Sequence, residues 1–295
     1  MNAISYCVST FDVGSKISST ADFEALFFEK IRASIQRGER LFVFPEYSAY
    51  ILAQVFAHSD PKALARDISN YYWNTFAPKV VALSKESHAL ICAGSAPCFE
   101  PETQQFFNRT LIACDGILHT YDKQQLTPWE SDFTPGSKFT LFEWQGLKIA
   151  VLICFDIEFP EIIAKLKNEQ IHLLICPSAT SDVLGSERIQ RCASAAAVQL
   201  GCAVMVSALV GTDLNNPLVD INEGQCSVYL PSQQQFQREI STTSKGIDQS
   251  PYIKDGFFEL TGVLPIEQLI EVKKPDFETK PFLDAITDMH PSKIS

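Results

Sequence analysis

The sequence contains no Cys-x-x-Cys pair and only five histidines in 295 residues, so a zinc framework has nothing to build on. It has no excess of positive charge: 24 Lys+Arg stand against 35 Asp+Glu, a net charge of −11, which sets its field against nucleic acid and anionic membranes. Its longest apolar run, the eleven residues 201–211, falls well short of the ~18–20 needed to span a bilayer. The first residues lack a basic stretch followed by an apolar core, so no secretory signal is expected. Internal repeats and a linker between domains are also missing.

What is present is a globular composition, 46% apolar and 20% charged, enough to bury a sizeable core. The nine cysteines are odd in number and scattered through apolar stretches, which reads as reduced, buried thiols in a cytoplasmic protein. Short apolar runs alternate with longer amphipathic ones. Strands are expected at residues 4–10, 41–44, 88–94, 108–114, 117–121, 138–144, 147–154, 171–176, 203–210 and 225–230. Helices are expected at 19–38, from 60 with a break or offset at Pro78, at 159–168 and at 185–200. Residues 231–256, rich in Gln, Ser and Thr, read as a long exposed loop. This unbroken mixture implies one α/β domain with layered sheets.

Three polar residues stand where such a fold makes them useful. Leu41-Phe-Val-Phe-Pro45 runs into Glu46, Lys148-Ile-Ala-Val-Leu-Ile153 runs into Cys154, and the strand before Asp122 ends at Lys123. Ligands of α/β sheets bind beyond the carboxyl ends of strands, so the three could share one cleft. Their chemistry is complementary. A thiol becomes a strong nucleophile when a base takes its proton, and a carboxylate in a dry pocket has its pKa raised toward that task. A lysine ammonium can hold the oxyanion that follows attack on a carbonyl. Taken singly, each has a blander reading: a core cysteine, a loop carboxylate, a surface lysine.

Phe44-Pro-Glu46, Tyr121-Asp-Lys123 and Leu152-Ile-Cys154-Phe-Asp156, in that order, resemble the signature segments of the nitrilase superfamily of carbon–nitrogen hydrolases. Pro135-Gly136, Phe159-Pro-Glu161 and Cys176-Pro-Ser178 fit the same pattern, and the likeness runs from about residue 5 to 264 of a single 1–295 domain, leaving 265–295 as a C-terminal extension. The resemblance implies a four-layer α-β-β-α sandwich of the nitrilase type. It implies Glu46 as general base, Cys154 as the nucleophile that forms a thioester, and Lys123 with the backbone N–H of Phe155 as the oxyanion site. It implies Glu130 as a second carboxylate that positions Lys123 or the hydrolytic water, no metal, no organic cofactor, and a homodimer or larger homo-oligomer. Trp129, and Tyr47 beside Glu46, are expected to line the pocket because they neighbour these residues in sequence.

Departures from the pattern are Phe155 where Tyr or Trp is usual, and Ala-Ala-Ala-Val-Gln at 195–199 in place of an Arg-Ala and Glu-Asn pattern. Asp156, Glu158 and Glu161 read as carboxylates opening the next helix, and none of the histidines stands in an obvious constellation. The leading expectation is a thiol amidohydrolase cleaving a small amide or carbamoyl substrate. A nitrilase, an N-acyltransferase, a Cys–His enzyme and a silent binding scaffold are the alternatives.

Overall fold

The computed structural model describes residues 3–236 and 247–273. Its strands are β1 (Ala3–Ser9), β2 (Phe11–Asp12), β3 (Leu41–Val43), β4 (Leu90–Glu100), β5 (Gln105–Cys114), β6 (Ile117–His119) and β7 (Leu141–Trp144). They continue with β8 (Leu147–Val151), β9 (Leu173–Ala179), β10 (Ala203–Thr212), β11 (Ile221–Asn222), β12 (Ser227–Tyr229), β13 (Ile247–Gln249) and β14 (Glu259–Pro265). The helices are α1 (Thr20–Arg37), α2 (Ala53–Phe56), α3 (Pro61–Tyr71), α4 (Ala77–Ser87), α5 (Pro160–Lys167), α6 (Val183–Leu200) and α7 (Ile266–Glu271).

Two sheets carry the fold. One has the order β14-β1-β3-β4-β5-β6; the other runs β13-β12-β10-β9-β8-β7, with β2 and β11 also paired to β10. Alternation along β1 shows how they stack. Tyr6 and Val8 join a core shared with Ile149, Val151 and Val206 of the second sheet, whereas Cys7 packs outward with Phe27 and Ile31 of α1. Helices α1, α3 and α4 thus cover the first sheet and α5 and α6 the second, giving α-β-β-α layers. The central pairs β1/β3, β3/β4, β8/β9 and β9/β10 are parallel. These strands are buried on both faces, which explains why they read as continuous apolar runs.

Local chemistry sets the helix ends. The Ser19 side chain accepts from Asp22 N at 3.2 Å while Asp22 accepts from Ser19 N at 3.0 Å, and Gly38 closes α1 at φ 108°. Phe23, Phe27, Phe28 and Ile31 are buried, and each contributes about 1.5–3 kcal/mol of apolar transfer. Asp60 caps α3, and the offset expected at Pro78 is a π-helical turn at Tyr72–Phe76, after which the proline sits in the first turn of α4.

Several expectations change. Strand β4 extends to Glu100, past Gly94 and Pro97, because a register shift between Cys92 and Ser95 absorbs the irregularity. Gly94 adopts φ +78°, and a Cβ there would lie 1.9 Å from the Pro45 carbonyl oxygen, so only glycine lets the Glu46 segment approach this strand. Strand β8 stops at Val151, three residues before Cys154. The 231–256 segment is not simply an exposed loop: Phe236 is wholly buried and β13 pairs with β12, while 237–246 lie outside the described residues. The first part of the expected extension packs on the core through Ile266, Leu269 and Val272; residues 274–295 lie outside the described set. All nine cysteines are unpaired. Among the described residues no helix is long and apolar enough to cross a membrane.

Candidate active site

Each site residue follows a strand whose backbone fixes its position. After β3, the Phe44 N–H donates to Cys92 O at 2.9 Å, and the chain turns at Tyr47 with φ 57° into a 3₁₀ turn. Glu46 lies on that bend. Lys123 is held by its own N–H to Asn108 O at 2.9 Å and by its carbonyl, which accepts from Gly136 N at 2.8 Å. Outside it, Arg109 grips Asp122 with two donors at 2.6 and 2.9 Å. Cys154 opens the turn after β8 at φ 45°, a left-handed conformation that costs a non-glycine residue energy and sharply redirects the chain.

The turn puts the thiol beside the second sheet's strand end, with Sγ 3.5 Å from the Ala179 carbonyl oxygen. The N–H of the same Ala179 donates to Glu46 Oε2 at 2.9 Å. One residue of β9 therefore joins the base candidate from one sheet to the thiol from the other.

Glu46, Lys123 and Glu130 are wholly buried and mutually bonded. Lys123 Nζ donates to Glu46 Oε1 and to Glu130 Oε2, each at 2.8 Å. Asn108 Nδ2 spans the same two carboxylates, at 2.8 Å to Glu46 and 3.0 Å to Glu130. Glu130 also accepts from the Tyr47 hydroxyl at 2.6 Å, and from Thr127 N and Oγ1 at 2.9 Å each.

This unequal supply of donors drives the two carboxylates apart. Burial raises both; for Glu46 it prevails over the Lys123 charge, and its pKa stands above the ordinary carboxylate value. For Glu130 the Lys123 charge, with donors from Lys123, Tyr47 and Thr127, outweighs burial, and its pKa is lowered. Burial opposes the Lys123 charge, but Glu46 and Glu130 overcome it and keep the ammonium protonated. Burial, then the Glu46 charge, holds the Cys154 thiol well above its usual value, so the resting sulfur is neutral.

A cleft of about 520 Å³ opens beside this cluster, its wall including Thr127, Trp129, Cys154, Phe155, Ala179 and Thr180. Trp129 lies on this wall, with Lys123 Nζ 5.6 Å from its ring centroid. Tyr47 does not line the cleft: it is fully buried and its hydroxyl serves Glu130, because the turn after Glu46 swings it inward. No histidine lines the cleft among the described residues, and His290 lies outside them. The Cys–His alternative therefore has no base on this wall.

Asp156 does more than open a helix. It lies in the first turn of the 3₁₀ helix Cys154–Glu158, as expected of such a carboxylate, but it is wholly buried there, and α5 begins later, at Pro160, with Glu161 in its first turn. Its Oδ2 accepts from the Tyr121 hydroxyl at 2.8 Å and Ile153 N at 3.1 Å; its Oδ1 accepts from Gln124 N at 3.1 Å and Gln125 N at 2.6 Å. One carboxylate thus ties the Lys123 loop to the Cys154 turn. Burial outweighs these donors and raises its pKa to about 6. A folded pKa above the unfolded value of about 3.9 means that stability from this group is full below that value and lost as pH rises through about 6. Urea unfolding of wild type and Asp156→Asn at pH 4.5 and 7.5 checks this. Relative to wild type, the variant is expected to gain about 2 kcal/mol across the window, whatever its constant loss; parallel responses would refute the assignment.

Comparison with known proteins decides the family. The carbon-nitrogen hydrolase family model matches residues 17–237. This chain belongs to the carbon–nitrogen hydrolase family. The chain is 26% identical over 212 residues to a probable hydrolase, YhcX, of Bacillus subtilis, an alignment covering 70% of this chain and 41% of that protein. The chain spans less than half the length of the sequence relatives it matches. Its fold is that of the nitrilase superfamily. Nit3 of Saccharomyces cerevisiae, a member of branch 10 of the superfamily, superposes with a TM-score of 0.70 at 20% identity, covering 96% of this chain and 97% of Nit3. A Nesterenkonia AN1 amidase gives 0.67 at 18% identity, covering 92% and 94%.

The buried cluster also includes residues that little in the sequence pattern singles out. Asn108 falls at the start of the strand expected at 108–114; a polar residue there, opposite Lys123 on the paired segment, is the one usable signal. Ala179 and Thr127 act largely through backbone groups, for which side-chain identity gives no signal.

Proposed function

We propose that this carbon–nitrogen hydrolase is a thiol-dependent amidohydrolase that cleaves a non-peptide C–N bond of a small amide through a thioester on Cys154. The observation that carries the reading is the separation of two buried carboxylates around one lysine, beside a cleft whose wall contains the cysteine. Glu130, saturated with donors, stays ionised and fixes Lys123. Glu46, less supplied and raised, is the carboxylate able to take a proton.

In the first half-reaction Glu46 removes the Cys154 proton as sulfur attacks the amide carbon. Because the resting thiol is neutral, proton removal belongs to the attack itself. The oxyanion is held by Lys123 and the Phe155 N–H. Glu46 then returns the proton to the departing nitrogen, the C–N bond breaks, and ammonia or an amine leaves. In the second half, Glu46 takes a proton from water, hydroxide adds to the thioester, and the C–S bond breaks with the proton passing to sulfur. Asn108 and Tyr47 hold the carboxylates; Trp129 lines the substrate's space.

The test is ammonia release from simple aliphatic amides, ω-amides, carbamoyl amines and nitriles, with intact-mass detection of an acyl group on Cys154. Release from amides with transient acylation supports the reading. Acylation followed by release only when an amine acceptor is added would make it an acyltransferase, and release confined to nitriles would make it a nitrilase; either overturns it.

A further inference from the structure

A second cavity of about 160 Å³ adjoins the cleft, and the two share Trp129, Pro217 and Leu218. Its remaining wall holds three aromatic rings, Tyr50, Phe106 and Phe133, with Ala65 of α3 on one side and the exposed Pro61, Lys62 and Asp132 at its edge. Tyr50 and Phe106 are almost wholly buried. The wall is stiff. Tyr47 contacts Tyr50, Trp129 and Phe133 with ring centroids 5.3, 6.0 and 5.9 Å apart, while its hydroxyl is fixed on Glu130. The charged members of the lining, Lys62 and Asp132, pair with each other at 3.0 Å. Their pairing leaves the cavity with no net charge to satisfy.

We infer that this side cavity is a subsite for an aromatic ring on the acyl part of the substrate. The inference rests on the amidohydrolase reading and narrows its substrate class to arylalkyl amides. Size fits: an apolar cavity of about 150 Å³ is enough to hold benzene. The acyl side is assigned because acyl and amine portions have different fates. The acyl group stays on Cys154 until water releases it, so a rigid side pocket adjoining the thiol's cleft suits it. The nitrogen must leave first, and the larger cleft, edged by the exposed Asp182, Leu184, Asp220 and Ile221, is its way out.

The test uses full-length Cys154→Ala, whose binding is read without turnover, titrated calorimetrically with butyramide, benzamide, phenylacetamide, 3-phenylpropanamide and N-benzylacetamide. At least one acyl-side aryl amide is expected to bind about tenfold or more tighter than butyramide. Ala65→Leu in the same background places a side chain in the empty cavity instead of a packed core, so overpacking is relieved. It is expected to erase the aryl advantage and leave butyramide binding unchanged, with Ala65→Val as a smaller plug if the leucine variant fails to fold. Aryl amides binding no tighter than butyramide, an advantage unaffected by either plug, or one confined to N-benzylacetamide would each overturn the inference. Ammonia release by the wild type from the same compounds separates the two claims: an aryl preference in binding without release defeats the hydrolase reading and leaves the subsite standing.

Discussion

Cys154→Ala is expected to lower amide turnover by on the order of 10⁵-fold or more while leaving the fold intact. The loss is near-complete because Cys154 is the nucleophile of the proposed reaction and, among the described residues, the only thiol on the cleft wall. The fold survives for three reasons. Alanine accepts the φ of 45° at the same cost as cysteine, so no new backbone strain is added. The sulfur's hydrogen bond, to Ala179 O at 3.5 Å, comes from a thiol, a weak donor. The space it vacates lies against an open cleft and not in the sealed core, so the cavity penalty is small. Unfolding free energies are expected to agree within about 1 kcal/mol. Ammonia assays with circular dichroism melts check both halves. Substantial turnover by the variant would reject the thioester mechanism; a large loss of stability would show that the turn depends on the sulfur.

The reach of the sequence is clearest in what surrounds this cysteine. Glu46 and Cys154 stand out in the sequence because each follows a buried apolar strand, whereas Lys123 follows the exposed Ile117 and Leu118 of β6 and is marked only by the Tyr121-Asp-Lys123 segment that resembles the family pattern. The layers were legible because strands covered on both faces lose the alternation of half-exposed ones. Asp156 was not legible. A carboxylate before a helix has an ordinary dipole explanation, and only the folded chain brings Gln124 and Gln125 to it across about thirty residues of sequence. Tyr47 was misplaced for a related reason: adjacency to Glu46 fixed its position in the chain but not the left-handed bend that turns its ring inward. The strand expected at 88–94 runs on to Glu100 because the bulge at 92–95 and the antiparallel partner β5 carry it past Gly94 and Pro97. Phe236 sat in a polar stretch whose composition masks one buried anchor. In each case the missing information is a contact between distant segments, which no local window contains.

Lys123→Met is the complementary prediction, since here both activity and stability are expected to fall. The lysine is the cation bonded to two buried carboxylates, and the cluster carries a formal charge of −1 with it and −2 without it. Removing one partner of a buried ion cluster costs about 3–5 kcal/mol, because the remaining charges keep their desolvation penalty and lose its compensation. Methionine fills most of the volume, so the loss reports charge and not a cavity. Its pH dependence has a definite sign. Without the ammonium, the folded-state pKa values of Glu46 and Glu130 rise above their unfolded values, and like charge sharing Asn108 pushes them further apart. Groups with raised folded pKa values stabilise in acid and lose that contribution as pH increases. The deficit of Lys123→Met against wild type is therefore expected to be smaller at pH 5 than at pH 8, as read from denaturant unfolding at both values. Adding Glu46→Gln removes one of the stranded charges. The double variant is expected to recover part of the stability at pH 8 through a coupling of at least about 1 kcal/mol, yet no turnover, since the proton acceptor and the charged oxyanion donor are both gone. Additive losses in that cycle would mean that the 2.8 Å contact between Lys123 and Glu46 carries no net coupling, and the account of the buried cluster would fail with it.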